Sequence, residues 1–254
     1  MQEYKTLKDL VKILSLFNNL DTEELSVTEI SKALGMSTSK VSRMLATLER
    51  EGIFEKREKA GKYRIGIFFF EMGVVYAYHF PLRKIIRPHL EQMAGETKLT
   101  VSWAILRKNR VVVLDRIKNL PIDLLAYRVG LNLPIYSTSV GKILLAYLPE
   151  KEQDQILDSI VLTKLTDATL VKPKTIKERL KMYRETGFAV DEEETYEKIN
   201  CIAVPIKDSC GRVIAAVSLM DEKSRTSREK LFSKVGYLKE KALFISRQLG
   251  FKNF

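Results

Sequence analysis

The sequence predicts an α+β protein. It places a winged helix-turn-helix at the N-terminus, a linking helix after it, and a C-terminal domain whose antiparallel sheet is flanked by helices. Three observations carry this reading. Short amphipathic helices are punctuated by Gly35 and Gly52 and followed by two short strands around a polar turn. The pattern changes near Pro81, after which strands and helices mix. Apolar runs meet in pairs across polar turns at Arg107-Lys108-Asn109-Arg110 and Asp208-Ser209-Cys210-Gly211, as antiparallel hairpins do.

In the first part, Leu7, Leu10, Val11 and Leu14 follow the i, i+3, i+4, i+7 spacing of one helix face. Thr6, with Asp9 three residues on, is the expected cap of that helix. Ser26-Val27-Thr28-Glu29 fits a capping box, in which hydroxyl and carboxylate satisfy free N–H groups at a helix start. Ile30, Ala33 and Leu34 give the second helix its buried face, and Gly35 stops it. Ser37 is placed to cap a third helix, with Val41, Met44, Leu45 and Leu48 facing inward and Gly52 at its end. Ile53–Arg57 and Tyr63–Ile67 read as strands around Lys59-Ala60-Gly61-Lys62. The stretch from Ile65 to about Tyr78 reads as a linking helix with one apolar face. These features set domain limits of 1–66 for the winged helix, 67–81 for the linker and 82–254 for the second domain.

The second domain opens with a helix over roughly Leu82–Glu96. Strands are expected at Leu99–Leu106, Val111–Ile117 and Ile122–Val129. Helices follow near Val140–Tyr147, Glu150–Ile160 and Ile176–Thr186, the last closed by Gly187. Strands Cys201–Ile206 and Arg212–Met220 and a final helix over Ser227–Leu249 complete the chain.

Composition removes several function classes. The chain has 254 residues, 45% hydrophobic and 30% charged, which is enough apolar material for a core. The longest apolar stretch, Ile65 to Phe80, is broken by Glu71 and falls short of the roughly 20 residues of a membrane span. No signal-peptide pattern opens the sequence, so a reducing cytoplasm is the expected location and no membrane partner is expected. Two cysteines and two histidines exclude a disulfide scaffold and a Cys/His zinc cluster. No nucleophile–base set assembles, so neither catalytic residues nor a cofactor are expected.

The net charge of +11 points toward a polyanion, but its placement matters more. Residues 1–80 hold 12 basic and 11 acidic side chains, while 81–254 hold 31 and 21. Residues 37–66 hold 8 basic and 4 acidic groups, a local net of +4. At 100° per residue, Ser39, Arg43, Ala46 and Arg50 point away from the apolar face of the third helix. Thr38, Lys40, Ser42 and Thr47 lie on its flanks. Short hydroxyls permit close approach to a groove, and Arg pairs with guanine or phosphate. Ser37, Thr38, Ser39, Lys40, Ser42, Arg43 and Thr47 are therefore the candidate recognition residues on double-stranded DNA. Lys59, Lys62 and Arg64 are the candidate phosphate contacts of the wing, with Lys56 and Arg57 less favoured. The bland alternative, a solvated helix face, is outweighed by the complete helix order and the wing.

Two further motifs stand out. Tyr136-Ser137-Thr138-Ser139-Val140-Gly141-Lys142 ends in Gly-Lys but is no P-loop, because Tyr136 and Ile143 occupy the required Gly and Ser/Thr positions. It remains a hydroxyl-rich turn entering a helix, where free N–H groups favour an anion or simply a cap. Asp191-Glu192-Glu193-Glu194 lacks histidine neighbours and reads as a solvated loop, with Asp191 the residue expected to turn inward.

Together these segments become specific. Leu131 to Ala146 resembles the central motif of IclR-family transcriptional regulators. Gly187 to Glu194 resembles their Gly-aromatic-x-x-Asp-x-Glu-Glu motif. Cys201-Ile202-Ala203-Val204-Pro205-Ile206, then Asp208, Gly211 and Ala215-Ala216-Val217-Ser218, is similar to their closing strands. The resemblance implies a GAF-like effector domain, a homo-oligomer (a dimer or a dimer of dimers), and repression or activation in response to a small molecule, frequently an organic or aromatic acid. By the family's motif the effector pocket falls to Ile122, Leu125, Leu133, Ser139, Val140, Asp191, Ile199, Cys201, Ser218 and Met220. Ser139 and Val140 stand where the family often has Gly or Ala, and Met220-Asp221 where it usually has Ser-Gly, which implies a pocket of altered width and polarity. The expected function is operator binding on a roughly palindromic site, modulated by that effector. The alternatives are a regulator with no soluble effector and a ligand-binding scaffold without operator selectivity.

Overall fold

The structure, a computed structural model, describes residues 4–18, 22–57, 60–119, 129–130 and 132–252. The chain forms two compact units, Met1–Phe80 and Pro81–Phe254.

The first unit is built from α1 (Lys5–Leu16), β1 (Leu25–Ser26), α2 (Val27–Leu34), α3 (Thr38–Arg50), β2 (Phe54–Arg57), β3 (Lys62–Ile65) and α4 (Phe68–His79). The core of this unit is Ile13, Phe17, Ile30, Val41, Leu45, Leu48, Phe54 and Tyr63, with Leu10, Leu14, Leu34 and Met44 partly buried against it. The face expected of α1 is therefore rotated, since Leu7 and Val11 are exposed and Ile13 points inward, and Ala33 of α2 is exposed as well. The capping box is present: Ser26 N donates to Glu29 Oε2 at 2.7 Å, and Glu29 N donates to Ser26 Oγ at 3.2 Å. Gly35 takes φ 61° at the end of α2, a backbone state that glycine adopts without strain.

Several expectations change. Thr6 lies inside α1, whose cap position is Tyr4. Ser37 caps α3 by position only, with its hydroxyl 3.5 Å from Ser39 Oγ instead of on a backbone N–H. The wing has a third strand, because β1 pairs with β3 through Leu25↔Tyr63 and Ser26↔Lys62; two residues are too short to show an alternating pattern. The linking helix is not apolar on one face. Phe70, Val74, Tyr76 and Tyr78 all stay at least half exposed, and none of its residues is buried. Contacts group α4 with the first unit, where the sequence reading had a separate linker.

The second unit contains α5 (Pro81–Thr97), β4 (Thr100–Arg107), β5 (Arg110–Ile117), β6 (Asn132–Leu133), α6 (Ser139–Ala146), α7 (Glu150–Ser159), α8 (Pro173–Thr186), β7 (Ala189–Glu192), β8 (Ile199–Lys207), β9 (Val213–Glu222), α9 (Arg228–Phe232) and α10 (Val235–Gln248). Six strands form one antiparallel sheet in the order β6-β5-β4-β9-β8-β7. Register sorts its residues onto two faces, since paired residues share a face and successive residues alternate. Thr100 pairs with Met220, which pairs with Cys201, which pairs with Asp191; Ser102 pairs with Ser218, which pairs with Ala203. These residues occupy one face, with Ile199 two residues from Cys201. Val101, Trp103, Val217, Leu219, Ile202 and Val204 occupy the other, and all are buried. α6 packs on the sheet against β4, β7, β8 and β9, and α5 and α10 also pack on it.

Two expectations change here. The acidic run is not a solvated loop: Ala189–Glu192 is strand β7, paired along β8 from Ala189↔Ala203 to Glu192↔Asn200. The final helix is two helices, broken where Ser233 and Lys234 cap α9 and α10. The strand expected at Ile122–Val129 lies, apart from Val129, outside the described residues.

Candidate functional site

The first candidate site is the exposed surface of α3 with the wing beside it. Burying Val41, Leu45 and Leu48 forces the opposite azimuth outward, so Ser37, Thr38, Ser39, Ser42, Arg43 and Thr47 are exposed. The Arg43 Nε reaches only the carbonyl of Ser39, one turn back in its own helix, at 3.4 Å. Its guanidinium has no acidic partner among the described residues.

The other cations are held differently. Lys40 is half-buried, and its amine forms an ion pair and hydrogen bond with Asp9 on α1. That bond holds the Asp9 carboxyl below the usual carboxylate range. Arg64 donates from Nε and a terminal nitrogen to Glu55 Oε2, at 2.9 and 2.7 Å. Lys62 lies 3.7 Å from Glu24 Oε1. Lys56 sits over the Tyr63 ring, 5.7 Å from its centroid. Lys59 lies outside the described residues.

The second candidate site is the face of the large sheet that carries Ser102, Ser218, Cys201, Met220, Ile199 and Asp191. Ser102 and Ser218 hydroxyls bond each other at 2.9 Å across the β4–β9 pair. Leu133 pairs with Val111 at the far edge and is buried. Ser139 and Val140 are buried in the first turn of α6. Thr138 caps that helix by accepting from Gly141 N at 3.2 Å. Gly141 has no substitute here, because a Cβ would meet the Ile135 carbonyl oxygen at 2.5 Å. Ile122 and Leu125 lie outside the described residues.

Asp191 links the strand to the turn before α6. Its Oδ1 accepts from Glu194 N at 2.9 Å and Thr195 N at 3.2 Å, and its Oδ2 accepts from the Thr195 hydroxyl at 2.7 Å. That hydroxyl also lies 3.1 Å from Ser137 Oγ. Burial pushes the Asp191 carboxyl up, against the opposing pull of Lys142 and these hydrogen bonds.

Sequence reasoning missed the centre of this arrangement. Lys142 is 1% exposed and pairs with Glu194, while its amine lies 5.8 Å from the Tyr183 ring centroid. Glu194 Oε2 is buried and has no hydrogen-bond partner among the described residues. Burial raises the Glu194 carboxyl as it raises Asp191. A signal existed: Lys142 is the one charge on a helix otherwise made of Ser, Val, Gly, Ile, Leu and Ala, so it has no polar face to sit on.

The geometry is that of a helix-turn-helix head and a second unit built on one antiparallel sheet, with no grouping of His, Cys, Asp and Glu suited to a metal among the described residues. Comparison with known proteins agrees on both parts. Residues 9–58 match the IclR helix-turn-helix domain, and residues 74–247 match the C-terminal domain of the bacterial transcriptional regulator IclR. The chain is 32% identical to the HTH-type transcriptional regulator XynR of Escherichia coli (strain K12) over 247 residues, covering 97% of this chain and 98% of that one. It superposes on the Thermotoga maritima IclR structure with TM-score 0.69 at 32% identity, covering 97% and 99% of the two chains. It shares the fold of an IclR homologue from Microbacterium hydrocarbonoxydans complexed with 4-hydroxybenzoate, with TM-score 0.80 at 24% identity over 96% of this chain and 99% of that one.

Proposed function

Because the chain belongs to the IclR family of transcriptional regulators, with a helix-turn-helix and a C-terminal ligand-binding domain, we propose that it is a cytoplasmic, sequence-specific regulator whose operator affinity is set by a small organic or aromatic acid. The observation that carries the DNA-binding half is the exposed face of α3, where short hydroxyls flank an Arg43 that no acid engages. Arg in that position reads guanine in the major groove.

The ligand half rests on a sheet face of small and polar side chains, Ser102, Ser218, Cys201 and Ala203, met by the buried N-terminal turn of α6. The start of a helix favours an anionic group. The Microbacterium protein of the same fold is complexed with an aromatic acid.

The exposure of α4 supports homo-oligomerisation. Phe70, Val74, Tyr76 and Tyr78 leave large apolar side chains at least half exposed along this helix, a surface that gains from being covered, and a second copy supplies a matching one. In a dimer, two α3 helices about 34 Å apart enter successive major grooves of a roughly palindromic site. A ligand that contacts two dimer geometries differently shifts their balance. A coupling of roughly 1–3 kcal/mol changes operator affinity about 5- to 150-fold.

Footprinting of the purified protein on fragments of its source genome, with and without a panel of organic acids, tests this function. A discrete protected site whose occupancy changes with one acid supports it. Protection that no acid alters favours the regulator without a soluble effector. Binding that is uniform along all fragments sinks operator selectivity.

A further inference from the structure

Lys62 and Arg57 face each other across the wing as register partners on β3 and β2. Like charges directly opposite on a sheet repel. One carboxylate reaches both cations. Glu24, the residue before β1, lies with Oε1 3.7 Å from Lys62 Nζ and Oε2 3.7 Å from Arg57 Nε. Its neighbour Glu23 reaches Arg57 at 3.9 Å. Glu24 is placed there by the short β1 strand, whose Ser26 pairs with Lys62. Its side chain is 20% exposed, and its Oε2 accepts no hydrogen bond. The contacts are thus ionic and longer than hydrogen bonds, so a phosphate oxygen accepting directly from Lys62 or Arg57 forms a closer partner. By contrast, Arg43 and Arg50 on α3 bond only carbonyls of their own helix, at 3.4 Å each. Arg43, placed to read bases, meets no acid among the described residues, while Arg57, Lys62 and Arg64 on the wing each lie against a carboxylate.

We propose that Glu24 is a specificity-determining residue: it competes with DNA phosphate for Arg57 and Lys62 and so restrains the sequence-independent part of DNA binding. The proposal rests on the DNA-binding reading above. Non-specific affinity comes almost entirely from phosphate contacts, and each contact adds about 0.9 to the slope of log K against log salt. A regulator searching a genome loses free protein to such binding. An internal competitor on the wing lowers that loss without touching the base-reading face of α3.

The test is Glu24→Gln in the full chain, with anisotropy titrations on a random-sequence duplex between 50 and 200 mM salt. The isosteric amide keeps the shape and removes the charge. Random-duplex affinity is expected to rise about 2- to 30-fold, from the spread of exposed ion-pair strengths applied to two cations. The salt slope is expected to steepen by about one to two units. Lys62→Gln is expected to change little in the wild-type background and to reverse much of the gain in the Glu24→Gln background. A purely structural Glu24 predicts the opposite sign, because a wing loosened by repulsion grips all DNA less. Unchanged or weaker binding by Glu24→Gln, from a wild type that does bind, overturns the proposal and leaves the DNA-binding reading intact. If Glu24→Gln fails to fold, Glu24→Gln/Lys62→Gln removes the repelling pair. Arg57→Gln in that background is then expected to lower random-duplex affinity, and no change there overturns the proposal. A wild type that binds no duplex at any salt overturns both.

Discussion

Replacing Lys142 with methionine should destabilise the second unit strongly, and in a pH-dependent manner. Methionine nearly matches the lysine stem in volume, so the packing of α6 on the sheet changes little. What changes is charge. Glu194 loses its partner, and Asp191 loses a nearby cation that opposes its burial. Both acids are more than nine-tenths buried. Breaking a buried pair by removing one partner typically costs about 3–5 kcal/mol. For a unit of this size each kcal/mol is worth roughly 2–4 °C, so a fall of about 6–20 °C in Tm is expected. Trp103 is the chain's one tryptophan and is fully buried in the same sheet, so its fluorescence follows this unit and not the DNA-binding head.

The pH arm has a definite sign. In the wild type both carboxyls are raised by burial, so the folded state holds protons more tightly than the unfolded one. Stability from this source is present at low pH and declines as pH rises from the unfolded carboxylate range through the raised folded values. Removing Lys142 raises both carboxyls further. The cost of Lys142→Met should therefore shrink as pH falls from 7 toward 5. The double change Lys142→Met/Glu194→Leu removes the orphaned charge and should recover most of the loss. A single mutant within 1 kcal/mol of wild type at pH 7, or a double mutant as unstable as the single, would refute the reasoning.

Three further outcomes are expected. Arg43→Ala should cost about 1–3 kcal/mol of operator binding and relax selectivity at one base position, as read by competition with single-base operator variants; an unchanged base preference would remove Arg43 from the recognition set. Ser139→Trp fills the buried first turn of α6 and should abolish ligand-induced thermal shift while DNA binding persists; loss of both together would indicate misfolding instead. Phe70→Lys places a charge on the exposed apolar surface of α4 and should shift sedimentation toward monomer, with no change expected if that surface is not an interface.

Much of the fold was legible because its signals are local. The box at Ser26 and Glu29 and the αL stop at Gly35 each occupy four residues or fewer, and each appears where the sequence puts it. The polar turns that separate β4 from β5 and β8 from β9 are equally local. What escaped was non-local. β1 and β6 are two residues long and exist only through their partners, Tyr63 and Lys62 or Val111 and Val112. The acidic run reads as loop by composition, yet β8 supplies the hydrogen bonds that make Ala189–Glu192 a strand. At the sites, spacing correctly turned Asp191 inward, but no spacing connects Lys142 to Glu194, 52 residues away. The pairing of Lys40 with Asp9 and of Lys62 with Glu24 likewise depends on how segments fold together.

The division of the large sheet into two unlike faces has a consequence for how this protein changes over generations. The bulky residues of one face, Trp103, Leu219, Ile202 and Val204, alternate one for one with the small residues of the other, Ser102, Ser218, Cys201 and Ala203. Adjacent positions in the chain thus belong to different packing environments and answer to separate constraints. A single nucleotide change can convert a serine of the small-residue face to threonine and leave its neighbours on the bulky face untouched. Such a scaffold can alter the chemistry of one face in small steps while the other keeps it folded.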